Sequence, residues 1–321
     1  MSDTDYVRRI QNASVYDVAI ESPLDFARNL SARLNNRIWL KREDLQPVFS
    51  FKLRGAYNKL AHMSDAELAN GVICSSAGNH AQGVALAAQR RGAHAVIVMP
   101  VTTPAIKVDA VRALDAEVIL HGDTYDDAYS HARGLEAQRG LVFIHPFDDP
   151  DVIAGQGTIG VEILQQATER IDAIFVPIGG GGLIAGVAAA VKQLQPGCRV
   201  FGVEPEGADT MHRSFAAGSP QAIDKVRTIA DSLGAPHARE YSFALCRRFV
   251  DELVMIDDEA IRSAMRLLFD DLKLAVEPAC AAATAALVGP LRERMRGKRI
   301  GVLACGSNID RKTFSRLIES V

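Results

Sequence analysis

Residues 173–191 read AIFVPIGGGGLIAGVAAAV, nineteen positions without a charge. That is nearly enough apolar chain to cross a bilayer. Pro177 and four consecutive glycines interrupt it in the middle. A bilayer-spanning helix does not tolerate such a break in its hydrogen bonding without help. A buried strand, a glycine turn and a buried helix explain the stretch instead.

Working outward, the same pattern recurs. RIWLKRE (37–43), GVICSS (71–76), AHAVIVMP (93–100) and AEVILHG (116–122) read as strands, as do AIFVPI (173–178), RVFGVE (199–204), ELVMID (252–257) and RIGVLACG (299–306). Helical patterns lie between them, among them AQGVALAAQRRG (81–92), AIKVDAVRALD (105–115), YDDAYSHARGLEAQRG (125–140) and DEAIRSAMRLLFDD (258–271). Short apolar strands alternating with helices predict an α/β protein with mostly parallel sheet. In such sheets ligands bind beyond the carboxyl ends of the strands. Residues 227–242, RTIADSLGAPHAREYS, read as a surface crossing rich in turn formers.

The chain has 321 residues, room for about two domains at roughly 150 residues each. It is 48% hydrophobic with net charge -3, which excludes a disordered chain. Thirty-six basic residues balance 39 acidic ones, so no nucleic-acid partner is expected. The five cysteines are widely spaced with no C-x-x-C, which points to a reducing compartment and against a disulfide framework. The opening MSDTDYVRRIQNASVYD has no apolar stretch of the signal-peptide kind. A cytoplasmic protein without membrane contact is expected.

Three segments carry candidate chemistry. In SFKLRGA (50–56), Lys52 opens a helix after a strand and a turn. The helix dipole opposes its charge, which favours the neutral, nucleophilic amine; the same lysine also reads as an ordinary solvated one. CSSAGNHAQG (74–83) ends a strand and opens a helix, with Ser76, Asn79 and backbone N–H groups suited to a carboxylate, or as a locally satisfied polar cap. Gly179, Gly180, Gly181, Gly182 and Leu183 form a turn whose N–H groups can hold a phosphate. That last segment also fits a dinucleotide fingerprint, Gly180-x-Gly182-x-x-Ala185, with Glu204 about twenty residues on as a ribose-binding acid. A nicotinamide-dependent oxidoreductase therefore stays open on this segment alone.

SFKLRGA, SAGNHAQG, IAGQGT (153–158) and GGGGL, in this order, resemble the fold-type II pyridoxal-phosphate enzymes, and within them the threonine (serine) dehydratases. The resemblance runs from VYDVAIESPL (15–24) to CGSNID (305–310). It implies two open twisted sheets flanked by helices: a large domain of residues 1–48 and 148–321, and a smaller one of residues 49–147 inserted in it. It implies pyridoxal 5'-phosphate as cofactor, with Lys52 as covalent anchor and as the base for the Cα proton. Phe51 would pack beside the ring, Asn79 would bond its 3-hydroxyl, and the glycine turn with Leu183 would hold the phosphate. Cys305 would face the pyridine nitrogen and Glu277 the ring edge. Ser76, Ala77, Gly78, Asn79 and His80 would bind the substrate carboxylate.

The implied reaction is dehydration and deamination of a β-hydroxy amino acid, with L-threonine giving 2-oxobutanoate and L-serine pyruvate. A 3-hydroxyaspartate or hydroxyectoine-pathway substrate fits the same scaffold, and so does a non-catalytic amino-acid sensor. Cys305 stands where threonine dehydratases usually carry serine; a neutral thiol, like a hydroxyl, leaves the ring a weaker electron sink than a carboxylate would. Ala77 stands where the racemases of the family carry a serine, so little racemisation is expected. A divalent-metal site in some relatives would use Glu204, the Ala208 carbonyl and an acid at 210. Thr210 occupies that last position, and no metal is expected. Only thirteen residues follow Asn308, so no regulatory domain is expected there. A homodimer is the family expectation.

Overall fold

The computed structural model describes residues 3–319; Met1, Ser2, Ser320 and Val321, the ends of the expected large domain, lie outside them. Among the described residues, ten strands form two sheets. The first strands are β1 (Leu24–Phe26), β2 (Arg37–Arg42), β3 (Val72–Ser75), β4 (Ala95–Met99), β5 (Glu117–Leu120) and β6 (Val142–Phe143). They are followed by β7 (Ala173–Pro177), β8 (Arg199–Pro205), β9 (Glu252–Ile256) and β10 (Arg299–Ala304). The large sheet runs β1-β2-β10-β7-β8-β9 and the small one β5-β4-β3-β6. All pairings are parallel except β1 on β2. All eight strands expected from apolar runs are present.

The strand order positions the site. β10 lies between β2 and β7, so three distant segments leave neighbouring strands at their carboxyl ends: Lys52 after β2, Cys305 after β10 and the glycine turn after β7. A bridge between Ser50 and Gly306 ties the first two together. From the small sheet, residues 76–80 follow β3 and residues 145–147 follow its neighbour β6.

The uncharged stretch 173–191 is apolar because all of it but Gly179 and Gly180 is buried. β7 is a central strand, and the Gly182–Leu194 helix packs across the Pro150–Gln166 helix. Glycines set that crossing. A Cβ on Gly186 would overlap the Ile153 carbonyl and stand 2.7 Å from the Gly157 nitrogen. Both neighbours are helix backbone, which cannot swing aside. Gly186→Ala is therefore expected to cost about 1–3 kcal/mol, the usual range for overpacking. Urea unfolding checks this; unchanged stability would mean that the two helices part freely. No helix among the described residues is long and apolar enough to cross a membrane.

A buried charge cluster anchors the Lys52–Ala61 helix. Arg54 bonds Glu43, just after β2, and Glu162 of the Pro150–Gln166 helix, which also pairs with Lys41 of β2. All four side chains are at most 1% exposed.

Candidate active site

The Lys52 amine faces a cavity and donates to the Pro146 carbonyl at 2.9 Å. Burial pulls its pKa from 10.5 down to about 8. Anionic Cys305, Glu277 or Cys74 would oppose this, but burial pushes Cys74 up, and Cys305 is raised by its thiol neighbour Cys280 and by burial. Both thiols are neutral near pH 7, so desolvation dominates. The Phe51 ring centroid lies 5.4 Å from the amine.

Across the cavity, Asn79 is gripped at both ends. Its Nδ2 donates to Glu277 Oε1 at 2.8 Å, and its Oδ1 accepts from Asn308 Nδ2 at 2.6 Å. One amide hydrogen is left for a ligand. Glu277 is pushed up to about 7, first by burial and then by Asp231, against the Asn79 and Ser232 hydrogen bonds. The His80 ring faces the Ile144 carbonyl at 2.9 Å. Burial, then Lys52, takes its pKa down to about 3, so the ring is neutral and its Nε2–H donates to that carbonyl. The Gly78 nitrogen donates to Ser76 Oγ at 3.2 Å.

The glycine turn is shaped by more than an anion. Gly181 has φ +90°, a left-handed conformation at the N-cap of the Gly182–Leu194 helix. A Cβ on Gly180 would overlap the Phe147 ring, and one on Gly182 would stand 2.6 Å from the Phe147 carbonyl. The turn thus needs glycine to admit Phe147 as well as to leave helix N–H groups open to an anion.

Phe51, Lys52, Asn79, the four glycines, Leu183, Glu277 and Cys305 all line one inner cavity. Ser76, Ala77, Gly78, Asn79 and His80 line an adjoining outer cavity of about 380 Å³, which shares Lys52. Sequence reasoning missed several walls. Ser232 and Leu233 close the inner cavity, and Tyr125, Tyr129, His145 and Phe147 line the outer one. The segment 227–242 is more than a surface crossing: Ala230 and Leu233 are buried in it. Its Asp231 pairs with Lys107 at 3.1 Å, linking the two sides of the cleft.

Glu204, Ala208 and Thr210 lie elsewhere. Glu204 is wholly buried, and its two oxygens accept from the Met211 and His212 nitrogens at 2.8 Å each. Its carboxylate caps the Thr210–Ala217 helix and is not free for a ribose. Burial raises Glu204 to about 8 against those two bonds. Thr210 donates to the Ala235 carbonyl at 2.7 Å, and Asp209 is paired with Arg213. No cluster of three metal-ligating side chains occurs among the described residues.

Residues 15–306 match the pyridoxal-phosphate dependent enzyme family. The chain belongs to that family. The nicotinamide alternative is thereby set aside, and pyridoxal phosphate is the cofactor. The inner cavity fits it: a partly deprotonated lysine for an aldehyde, a helix N-terminus for a phosphate, and a neutral thiol beside them.

Among relatives of this family member, the biosynthetic L-threonine dehydratase IlvA of Burkholderia multivorans is 51% identical over 320 residues, 98% of this chain and 63% of that protein. The phenylserine dehydratase of Ralstonia pickettii is 52% identical over 276 residues, 86% of this chain and 84% of that one. The processed form of threonine deaminase isoform 2 from Solanum lycopersicum superposes with TM-score 0.95 at 46% identity, covering 99% of this chain and 87% of that one. The chain spans between 48% and 63% of the length of the threonine dehydratases of Burkholderia multivorans and Arabidopsis thaliana.

Proposed function

We propose that this chain dehydrates and deaminates β-hydroxy amino acids, with L-threonine ahead of L-serine among the aliphatic ones. The single observation that carries the reading is the Lys52 amine, placed in the wall shared by both cavities with its pKa near 8. The threonine dehydratase and threonine deaminase relatives support it.

When bound, the cofactor supplies the electron sink for the pair freed at Cα. Lys52 would hold the cofactor covalently, and its Nζ would serve as the acceptor for the Cα proton. The backbone of residues 179–183 would hold the phosphate, and the free Asn79 amide hydrogen would hold the ring hydroxyl. Residues 76–80 hold the substrate carboxylate at the start of the Asn79–Arg91 helix. Phe51 would pack beside the ring and Cys305 would meet the ring nitrogen as a neutral thiol, while Glu277 fixes Asn79. Ala77 offers no group to return a proton to the other face, so racemisation stays low. Division into residues 49–147 and the remainder, and assembly as a homodimer, belong to the same reading.

The test is an assay for 2-oxo acid and ammonia with each amino acid. Release of 2-oxobutanoate from threonine faster than pyruvate from serine is expected, and no 2-oxo acid from either would overturn the reading. A second prediction concerns pH. Only the neutral Lys52 amine attacks an aldehyde, so pyridoxal phosphate should load onto the cofactor-free chain at a rate rising with pH through a midpoint near 8. A midpoint near 10.5 would show an ordinary solvated lysine.

A further inference from the structure

The outer cavity has a wall of aromatic rings that the reactions of threonine and serine do not use. From the geometry we infer that the chain's preferred substrates are β-hydroxy amino acids carrying an aromatic ring on Cβ. This rests on the dehydratase reading and names its substrate class.

The rings form a continuous ladder. Tyr125 and Tyr129 stack at 6.0 Å between centroids, and Tyr129 meets Phe143 edge-on at 5.6 Å. Phe143 lies 6.3 Å from His145, which meets Phe147 edge-on at 4.7 Å. All but Phe143 line the outer cavity. The ladder starts at the reacting centre, because His145 and Phe147 flank Pro146, whose carbonyl holds the Lys52 amine. It ends at Tyr125, 40% exposed.

The His145 ring is a neutral wall and not a charge. Its Nδ1 accepts from the Phe147 and Asp148 nitrogens, and burial keeps it down at about 4. Size agrees with this assignment. A cavity of roughly 150 Å³ already takes a benzene ring, and this one has about 380 Å³. The methyl of threonine would leave most of the ladder wet, whereas an aryl group would meet ring faces and edges in the arrangements aromatic pairs prefer.

The chemistry balances. The Cα–H and Cβ–O bonds of 3-phenylserine break and the elements of water leave. Water taken up on hydrolysis of the resulting enamine gives phenylpyruvate and ammonia, with no oxidant.

The test gives the holoenzyme L-threo-3-phenylserine or L-threonine and measures 2-oxo acid and ammonia. The expected kcat/KM for phenylserine is at least about tenfold the value for threonine. Tyr129→Ala should lower that ratio by about tenfold, the scale of one aromatic contact. Binding provides a readout without turnover. L-phenylalanine and L-alanine lack the β-hydroxyl, and calorimetry should show a Kd at least about tenfold lower for phenylalanine. Threonine turnover exceeding that of phenylserine, with alanine bound as tightly as phenylalanine, would overturn the aryl assignment and leave the dehydratase reading standing. If neither hydroxy amino acid turns over, the dehydratase reading falls, and the calorimetric comparison alone decides the aryl cavity.

Discussion

Lys52→Ala is expected to lower turnover of every β-hydroxy amino acid by at least about four orders of magnitude without destabilising the fold. A positioned acid–base group alone is worth roughly 10²–10⁴-fold, and Lys52 is assigned covalent attachment as well. The stability half of the prediction follows from the sign of the pKa shift. The folded value, about 8, lies below the unfolded 10.5. The unfolded chain therefore binds more protons between those values, and below pH 8 the charged amine in its dry setting opposes folding in full. Removing it at pH 7 takes away that opposition. The one hydrogen bond lost is to the Pro146 carbonyl. A thermal midpoint of the cofactor-free variant that holds or rises against the cofactor-free wild type, while 2-oxo acid production disappears, is the expected pair of measurements. Appreciable residual turnover would remove Lys52 from the chemistry.

The second large effect is on stability. Arg54→Ala should destabilise the protein by about 3–5 kcal/mol, the cost of leaving a buried charge uncompensated. Arg54 Nε and Nη2 donate to the two oxygens of Glu43 at 2.8 Å each, and Nη1 donates to Thr158 at 3.0 Å. Glu162 also accepts from Arg54. Burial alone would raise the Glu162 pKa; Arg54 and Lys41 together hold it below the usual carboxylate value. Without Arg54, two buried carboxylates share the Lys41 cation. The deficit relative to the wild type should shrink as pH falls, because a protonated Glu162 no longer needs its partner. Chemical unfolding at pH 7 and pH 5 measures both parts. A loss under about 1 kcal/mol at pH 7 would place the cluster with weak surface pairs.

The legible parts of the fold were those with strong local patterns. Buried parallel strands such as AIFVPI and RVFGVE are continuous apolar runs, and each became a strand. The two strands not expected, β1 and β6, have three and two residues. Runs that short carry no periodicity, and their pairing is dictated by β2 and β3. The site divided the same way. Lys52, Asn79 and the glycine turn sit in local motifs because one loop must present several atoms at once. The four rings of the outer cavity come from one helix and one loop, at spacings set by tertiary packing, and leave no mark in the chain. The glycine turn was legible for only half its reason, since contact with Phe147, more than thirty residues away, needs the topology to be seen. Glu204 stands near the end of its strand as a ribose-binding acid would, yet its carboxylate is taken by two backbone nitrogens of the next helix.

The most direct test of the account is to locate the cofactor. The holoenzyme is reduced with borohydride, digested, and the pyridoxyl-bearing peptide sequenced by mass spectrometry. The account predicts loss of the visible band together with one modified residue, Lys52, and less labelling of it when reduction is carried out in the presence of saturating L-threonine. A pyridoxyl group on another lysine, Lys107 on the rim of the outer cavity for example, or a protein that takes up no cofactor at all, would contradict it.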